Sequence, residues 1–546
     1  MIRVSEIKLT LAQAEQPQAA LRAAAAGILG LDEAALGEVQ VFKRSFDARK
    51  TDLMAVYIVD VTLADAAAEA ALLARWAGRP HISATPDMQW RPPVQLVAPI
   101  SERPVVVGFG PCGIFAALVL AQMGLRPLVL ERGKTVRERS RDTWGLWRRR
   151  ELNPESNVQF GEGGAGTFSD GKLYSQIKDA RYLGRKVMTE FVKAGAPEEI
   201  LYVAHPHIGT FRLVKVVENM REQVVALGGE IRFQQRVTDL LIEEGSDGKQ
   251  LRGLTVLNQA TGQSTELRTD HVVLALGHSA RDTFEMLHRR GVFLEAKPFS
   301  IGFRIEHPQS VIDRARWGRH AGHPLLGAAD YKLVHHAGNG RSVYSFCMCP
   351  GGTVVAATSE AGRVVTNGMS QYSRNERNAN AGMVVGITPA DYPGGPLAGM
   401  ELQRRLESRA YELGSGNYDA PAQLVGDFIA GRPSTQLGDV EPSYQPGVQM
   451  GDLHLALPDY AIAALREALP AFGRKLKGFD MPGAVLTGVE TRTSSPLKIT
   501  RGEDYQSLNV RGLYPAGEGA SYAGGILSAG VDGIKVGEAV AKSMVL

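Results

Sequence analysis

The chain has 546 residues, 44% of them hydrophobic and 22% charged, with a net charge of +3. That length predicts two or three domains, and the nearly balanced charge excludes a protein that holds nucleic acid by bulk attraction. Three cysteines do not make a disulfide framework, and Met1–Gln16 contains no apolar signal core, so a cytoplasmic protein in a reducing compartment is expected.

In chain order, residues 1–98 read as a separate small α/β domain. Ile2, Val4, Ile7 and Leu9 alternate as in a strand, and an alanine-rich helix is predicted over about Pro17–Leu29. Val39 and Val41 start a second strand. The third, about Leu53–Leu63, carries Tyr57, Val59, Val61 and Leu63 on one face. Its other face holds Met54, Val56 and Ile58 until Asp60 interrupts it, so a central place in the sheet is expected. A second helix follows near Ala64–Trp76. The order β-α-β-β-α suggests a ferredoxin-like domain. Between two strands lies Lys43–Lys50, with four basic residues. It reads as a solvated hairpin, or alternatively as an anion or RNA contact; no aromatic pair for base stacking is evident nearby. Pro92, Pro93, Pro99 and Pro104 mark a linker.

Val105–Glu131 organises the chain. Val105–Val107 runs into Gly108-x-Gly110-x-x-Gly113, and a second apolar run, Val129–Leu130, ends in Glu131. Strand, glycine turn, helix, strand and acid in that spacing form a dinucleotide-binding βαβ fingerprint. The first glycine permits the turn. The second gives backbone N–H groups access to a pyrophosphate and is expected to need glycine backbone angles. The third allows close packing of helix on strand. The helix N-terminus favours phosphate, and Glu131 would accept hydrogen bonds from ribose hydroxyls. The 21 uncharged residues from Val105 to Leu125 suffice in length for a membrane span, but three glycines and Pro111 argue against one.

A basic helical segment, Arg132–Arg150, precedes Asn157–Tyr174, which holds five glycines together with Phe160, Phe168 and Tyr174. It includes a second Gly161-x-Gly163-x-x-Gly166 with no strand before it. Such a run fits a backbone lying flat against a cofactor better than a linker. Helices are predicted near Tyr182–Lys193 and Phe211–Ala226, then a strand at Glu230–Phe233 and a meander over Val237–Leu241, Leu251–Leu257 and Thr265–Arg268. A buried-type strand, His271–Leu276, follows. His205 and His207 fit one strand face as metal ligands, but no third ligand is indicated and no metal is expected.

Residues 291–499 change character, mixing strands such as Ser300–Ile305 and Thr353–Thr358 with helices near Glu401–Leu413 and Asp459–Ala471. Cys347 and Cys349, two apart on a strand, are expected to face one side. They are weak catalytic candidates, with buried packing the commoner alternative. Arg374, Asn375, Asn378 and Asn380 form a polar cluster without an assignable role, and Glu490–Arg501 is dense in hydrogen-bonding side chains. Near the C-terminus a strand at Leu508–Val510 leads to Gly517-Glu518-Gly519, then Gly524-Gly525-Ile526 and a helix through Ala541. An acid at a strand end before a glycine-rich helix start is a second flavin signal and selects FAD over NAD.

RSFDARK, GFGPCGIFAA, FGEGGAGTFSDGKL, FCMCPGG, ETRTSSP and YPAGEGASYAGGILSAGVDG, spread from Arg44 to Gly533, resemble the glutathione-reductase-like FAD superfamily. More narrowly, they resemble its bacterial family of uncharacterised FAD-dependent dehydrogenases. The resemblance implies an α/β fold with a two-lobed, Rossmann-like FAD-binding domain of three-layer ββα type. An inserted α+β substrate domain and the small N-terminal ferredoxin-like domain complete it, with boundaries at 1–98, 99–290, 291–499 and 500–546. It implies that Gly108, Gly110, Gly113 and Glu131 bind the ADP half and that the Val237 backbone meets adenine. Glu518, often Asp in the superfamily, and Gly524–Ile526 would hold the ribityl chain and flavin. Pro111, Cys112, Arg132, Gly164, Gly166, Thr167, Gly277, Gly517, Gly525 and Ile526 complete the expected site for non-covalent FAD. The expected activity is hydride transfer between flavin N5 and an unknown small-molecule substrate; no second dinucleotide fold is visible, so NADH or NADPH is expected as a transient partner at most, not a tightly held one. No membrane partner is expected. The alternatives are an RNA- or tRNA-directed flavoenzyme and a non-catalytic FAD-bound interaction protein.

Overall fold

In the computed structural model, which describes residues 1–49, 52–98 and 100–545, the N-terminal strand Ile2–Thr10 buries Ile2, Val4, Ile7 and Leu9 on one face. Thr10 and Gln13 form a capping box that starts the helix Leu11–Glu15, and the helix Gln18–Leu29 stops at Gly30, whose φ is 67°. The sheet is antiparallel, in the order Leu36–Asp47, Met54–Leu63, Ile2–Thr10, Ile82–Ala84. The short strand Ile82–Ala84 adds to the β-α-β-β-α order expected from the sequence. Asp60 does not open the third strand to solvent. It is buried, and Arg3 donates to it at 2.8 and 2.9 Å while Thr85 Oγ1 donates at 3.0 Å. A buried charge is tolerated where it is paired and hydrogen-bonded.

The basic hairpin differs from a solvated loop. Arg44 N donates to Tyr202 O at 2.6 Å and Arg44 O accepts from Ala204 N at 2.9 Å, so its first half docks on the following domain. Lys43 and Arg49 stay exposed, and Lys50 lies outside the described residues. The linker is also tied down: Trp90 Nε1 donates to Glu538 at 2.9 Å, and Leu96 N to Met123 O at 3.0 Å.

The central sheet is wholly parallel, ordered Leu513–Pro515, Val272–Leu274, Val105–Val107, Leu128–Leu130, Glu230–Arg232. The first four of these strands bury every residue, as a sheet covered on both sides requires. One face packs against the helices Pro111–Gln122, Leu183–Lys193, Thr210–Ala226 and Ile526–Val545 through Phe115, Leu118, Val187, Val216 and Ile534. The other face packs on the meander Gln235–Gly245, Gly248–Asn258 and Gln263–Arg268 through Val237, Leu240, Leu251 and Leu254. The apolar run Val105–Leu125 is thus a strand, a turn and a 12-residue helix. Among the described residues no helix is long and apolar enough to cross a membrane.

A further sheet, of eight strands, occupies the following region. Its path is Val334–His336, Ser342–Ala356, Asn378–Ile387, Phe299–Pro308, Val485–Glu490, Ala420–Leu424, Val448–Met450, with Thr366–Met369 beside Ser342–Ala356. The helices Ala398–Leu413 and Asp459–Lys475 cover it. A two-stranded ribbon, Leu294–Ala296 with Leu497–Ile499, leads into and out of this sheet. Trp147, from the helix Val136–Arg149, enters its core and donates to Ala356 O at 2.9 Å.

Candidate cofactor and substrate cavity

The fingerprint turn is built by steric necessity at two glycines. Gly108 has φ +97°, and a Cβ there would lie 2.2 Å from the Ala275 carbonyl oxygen. A Cβ on Gly113 would lie 1.9 Å from Gly108 O, so helix and strand touch at backbone distance. Gly110 differs from expectation: its φ is −83°, a conformation open to any residue. Its constraint is space, because a Cβ there would face Gly164 Cα at 3.4 Å and the cavity beyond.

Glu131 is buried with three backbone donors on its carboxylate: Phe109 N at 2.9 Å, Gly133 N at 2.8 Å and Gly161 N at 3.1 Å. A carboxylate accepts about four hydrogen bonds, so one position remains at the cavity wall. Arg132 pairs with Glu155 and Asp282 and stacks over Phe160 at 4.1 Å.

The second glycine motif is the opposite wall. Gly164, at φ 68°, would place a Cβ 2.8 Å from Gly110 Cα, so the two glycine turns meet backbone to backbone. Arg139, fully buried, holds this loop by donating to the carbonyls of Asn157 (2.9 Å), Val158 (2.6 Å), Gly161 (3.3 Å) and Glu162 (2.7 Å). Burial lowers its pKa to about 10, while Glu131 and Glu162 act in the other direction. Glu162 accepts from Val136 N at 2.7 Å and pairs with Arg221 at 2.8 Å; burial nonetheless pushes its carboxyl up to about 7. Sequence patterning offers no sign that Arg139, one of several arginines on a basic helix, is this clamp.

The C-terminal segment closes the cavity. Gly517 N donates to Asp532 at 2.8 Å, and Asp532 pairs with Arg501 at 2.6 Å. Glu518 follows on the wall, its carboxyl raised to about 7 by burial, with the Lys297 charge opposing. A Cβ on Gly524 or Gly525 would meet no atom within 4 Å, which leaves space before the helix Ile526–Val545.

These pieces surround one cavity of about 570 Å³. Gly108, Gly110, Pro111, Cys112, Glu131, Arg132, Gly164, Gly166, Val237, Gly277, Gly517, Glu518, Gly525 and Ile526 all line it. Gly113 and Thr167 stand behind the wall; Thr167 is buried, with its hydroxyl unpartnered and its carbonyl accepting from Thr210. The glycine cradles, the helix N-terminus and Glu518, whose carboxylate makes no hydrogen bond or ion pair among the described residues, suit a long, phosphate-containing ligand bearing hydroxyl groups, as FAD is.

The far wall comes from the eight-stranded sheet, including Tyr344, Cys347, Cys349 and Asn367. The cysteines do not share a face. The register shifts between Phe346 and Cys349, and Cys347 adopts φ 42°, so a bulge leaves Cys347 exposed while Cys349 is buried. Arg304, buried in the central strand, donates to Cys347 O, to Asn380 Oδ1 at 2.8 Å and to Glu490 at 2.9 Å. Although Cys347 is exposed, desolvation by the protein around it pushes its thiol up to about 12, and burial raises Cys349 as well, so neither is poised as a thiolate.

His278 also reaches the cavity, and burial, with Arg492 and Arg281 nearby, lowers it to about 3. Behind it, Arg281 and Arg492 pair with Glu407 at 2.7 Å each. Burial opposes ionisation of Glu407, but these two charges outweigh it and hold the carboxyl near 2. Arg492 comes from the dense Glu490–Arg501 stretch. His205 pairs with Asp330 at 3.3 Å, whereas His207 Nε2 meets Tyr372 O at 2.8 Å, so the two histidines have separate partners. Arg374 and Asn378, unassigned in the sequence, pair with Asp170 and Glu306.

Residues 298–493 match the family described as FAD-dependent protein, C-terminal domain-like, and residues 1–62 match one described as a domain of unknown function. A Clostridium beijerinckii protein, described as an uncharacterized protein, is 47% identical over 513 residues, covering 93% of each chain. Among solved structures, a geranylgeranyl bacteriochlorophyll reductase-like protein from Thermoplasma acidophilum is 12% identical with a TM-score of 0.36, covering 82% of this chain and 79% of that one. The Rhodococcus jostii 3-ketosteroid-delta4-(5alpha)-dehydrogenase is 13% identical with a TM-score of 0.35, covering 83% of this chain and 100% of that one. Likenesses this remote carry no argument about substrate.

Proposed function

The chain belongs to one family with its Clostridium beijerinckii relative, and from that membership and the cavity's construction we propose that it is an FAD-dependent oxidoreductase acting on a small molecule. The observation that carries the reading is the meeting of three distant segments on one cavity: the fingerprint turn at Gly108–Gly113, the glycine loop at Gly161–Gly166 and the C-terminal Gly517–Ile526. In this reading the parallel sheet and the meander are the two lobes of a Rossmann-like FAD domain, and the eight-stranded sheet is the inserted substrate domain.

The fingerprint helix N-terminus takes the pyrophosphate, and the free position on Glu131 accepts from an adenosine ribose hydroxyl. Glu518 receives hydrogen bonds from the ribityl chain. Bound FAD supplies hydride chemistry; the chain supplies placement, exclusion of water and electrostatics. The docked hairpin at Arg44 weighs against the RNA-directed alternative.

Purified protein is expected to be yellow and to release FAD on denaturation. A screen of reductants under anaerobic conditions then finds what bleaches it. Protein that stays colourless when FAD is supplied overturns the reading, and release of FMN overturns the roles given to Glu131 and the fingerprint turn.

A further inference from the structure

The cavity wall opposite the glycine turns holds charges of two kinds. Asp170 is tied to Arg374 through hydrogen bonds of 3.0 and 2.5 Å, Asp330 faces His205 at 3.3 Å, and the buried Arg304 is matched by Glu490 at 2.9 Å. Lys172 and Lys332 line the same wall, yet among the described residues neither side chain has a hydrogen-bond or ion-pair partner. Lys172 is half-buried and lies close enough to Cys347, Cys349, Asp170 and Asp330 to act on the proton affinity of all four. Lys332 sits on the segment whose neighbour Leu333 exchanges hydrogen bonds with Ser345, at 2.8 and 2.9 Å, beside the Cys347 bulge.

Asn367 adds a third donor. Its side-chain oxygen is occupied by Gly368 N at 2.9 Å, which fixes the amide and leaves its NH2 without a protein partner on the cavity side. The wall thus presents two ammonium groups and an amide NH2, while its carboxylates are already engaged. Lys172 feels the charges of Asp170 and Asp330 but hydrogen-bonds to neither, so its ammonium protons stay free for a ligand that accepts them directly.

We infer that this wall is the substrate subsite and that the substrate carries a carboxylate, held by Lys172 with Lys332 and Asn367 beside it. The inference rests on the oxidoreductase reading above and assigns the class of molecule on which that activity works. Two ammonium groups with an amide NH2 hold a single carboxylate as point donors, whereas phosphate sites are typically built from backbone cradles.

The test uses the full-length protein as purified, with bound flavin measured by its visible spectrum. Benzoate is titrated against phenyl phosphate, benzamide and benzylamine, followed by calorimetry and by the flavin difference spectrum. Benzoate is expected to bind and perturb the spectrum, with the amide and the amine at least tenfold weaker. Lys172→Gln should lose about tenfold or more in benzoate affinity at unchanged flavin content, the size of one charged hydrogen bond, and Lys172→Arg should keep most of it. Equal binding of benzamide, preference for benzylamine or phenyl phosphate, absence of benzoate binding to yellow protein, or full affinity in Lys172→Gln each overturns the assignment. Absence of flavin from the protein fails the oxidoreductase reading instead, so the two failures are told apart.

Discussion

At the scale of single residues, burial shifts the proton affinity of groups on the cavity wall. Glu518 is raised from 4.5 to about 7. A folded-state value above the unfolded one contributes stability that is complete below about 4.5 and is lost as pH rises through about 7. Thermal unfolding of flavin-stripped protein is therefore expected to fall over that window. The fall should be shallower in Glu518→Gln, though not absent, because Glu162 shifts in the same direction to about 7. An unchanged slope in the variant removes the energetic role assigned to Glu518. The thiols give a second expectation. With Cys347 held near 12 and Cys349 buried, alkylation by iodoacetamide at neutral pH should be slow and confined to Cys347 by mass spectrometry. Oxidant should not link the two, because the bulge separates their directions. Rapid modification, or a mass loss of two hydrogens, contradicts this.

At the scale of elements, Gly110→Val examines the meeting of the two glycine turns. The backbone at Gly110 admits valine, so the helix should form and circular dichroism should stay close to wild type. The γ-methyls would press on Gly164 and enter the cavity, and FAD content is expected to fall to a small fraction. Retained FAD shows that pyrophosphate does not pass this point. Short apolar runs made Val105–Val107, Leu128–Leu130 and Val272–Leu274 legible in the sequence, because a doubly covered strand has to be apolar throughout; the C-terminal strand, expected at Leu508–Val510, instead joins the sheet at Leu513–Pro515. The fingerprint was visible because steric closeness demands glycine at Gly108 and Gly113. The Cys347 bulge was not legible, since one extra residue reverses which face a side chain takes and no residue type announces it. The Arg139 clamp escaped for a similar reason: its four partners are carbonyl groups, which every residue possesses. The wall formed by Lys172, Lys332 and Asn367 draws on three separate segments and exists only after folding.

At the scale of the whole molecule, the N-terminal sheet is fastened to both larger parts. Arg44 is bonded to Tyr202 and Ala204, and Asp52 pairs with Arg319. Leu325 packs against the N-terminal core, and His323 lies 3.5 Å from Glu15. Removing residues 1–84 should uncover this contact and lower the melting temperature by several degrees or more, the effect of losing on the order of a few kcal/mol in a chain of this size. A truncated protein that melts with the parent shows that the contact contributes little. The same docking leaves the basic strand end half covered, so binding of tRNA at low ionic strength is expected to be no stronger than for other proteins of near-zero net charge.

The parallel sheet places Val272–Leu274 between Val105–Val107 and Leu513–Pro515, an arrangement with a bearing on how the protein is made. The ribosome delivers the strand that begins at Val105 long before the one that ends at Pro515, and the covering helix Ile526–Val545 comes later still. Until then the nascent sheet has an open apolar edge, the kind of surface that slows folding and invites aggregation. Flavin capture should accordingly follow completion of synthesis. Chains arrested upstream of Gly512 should emerge colourless and depend on chaperones, whereas chains released beyond the final helix should acquire colour in a single late step.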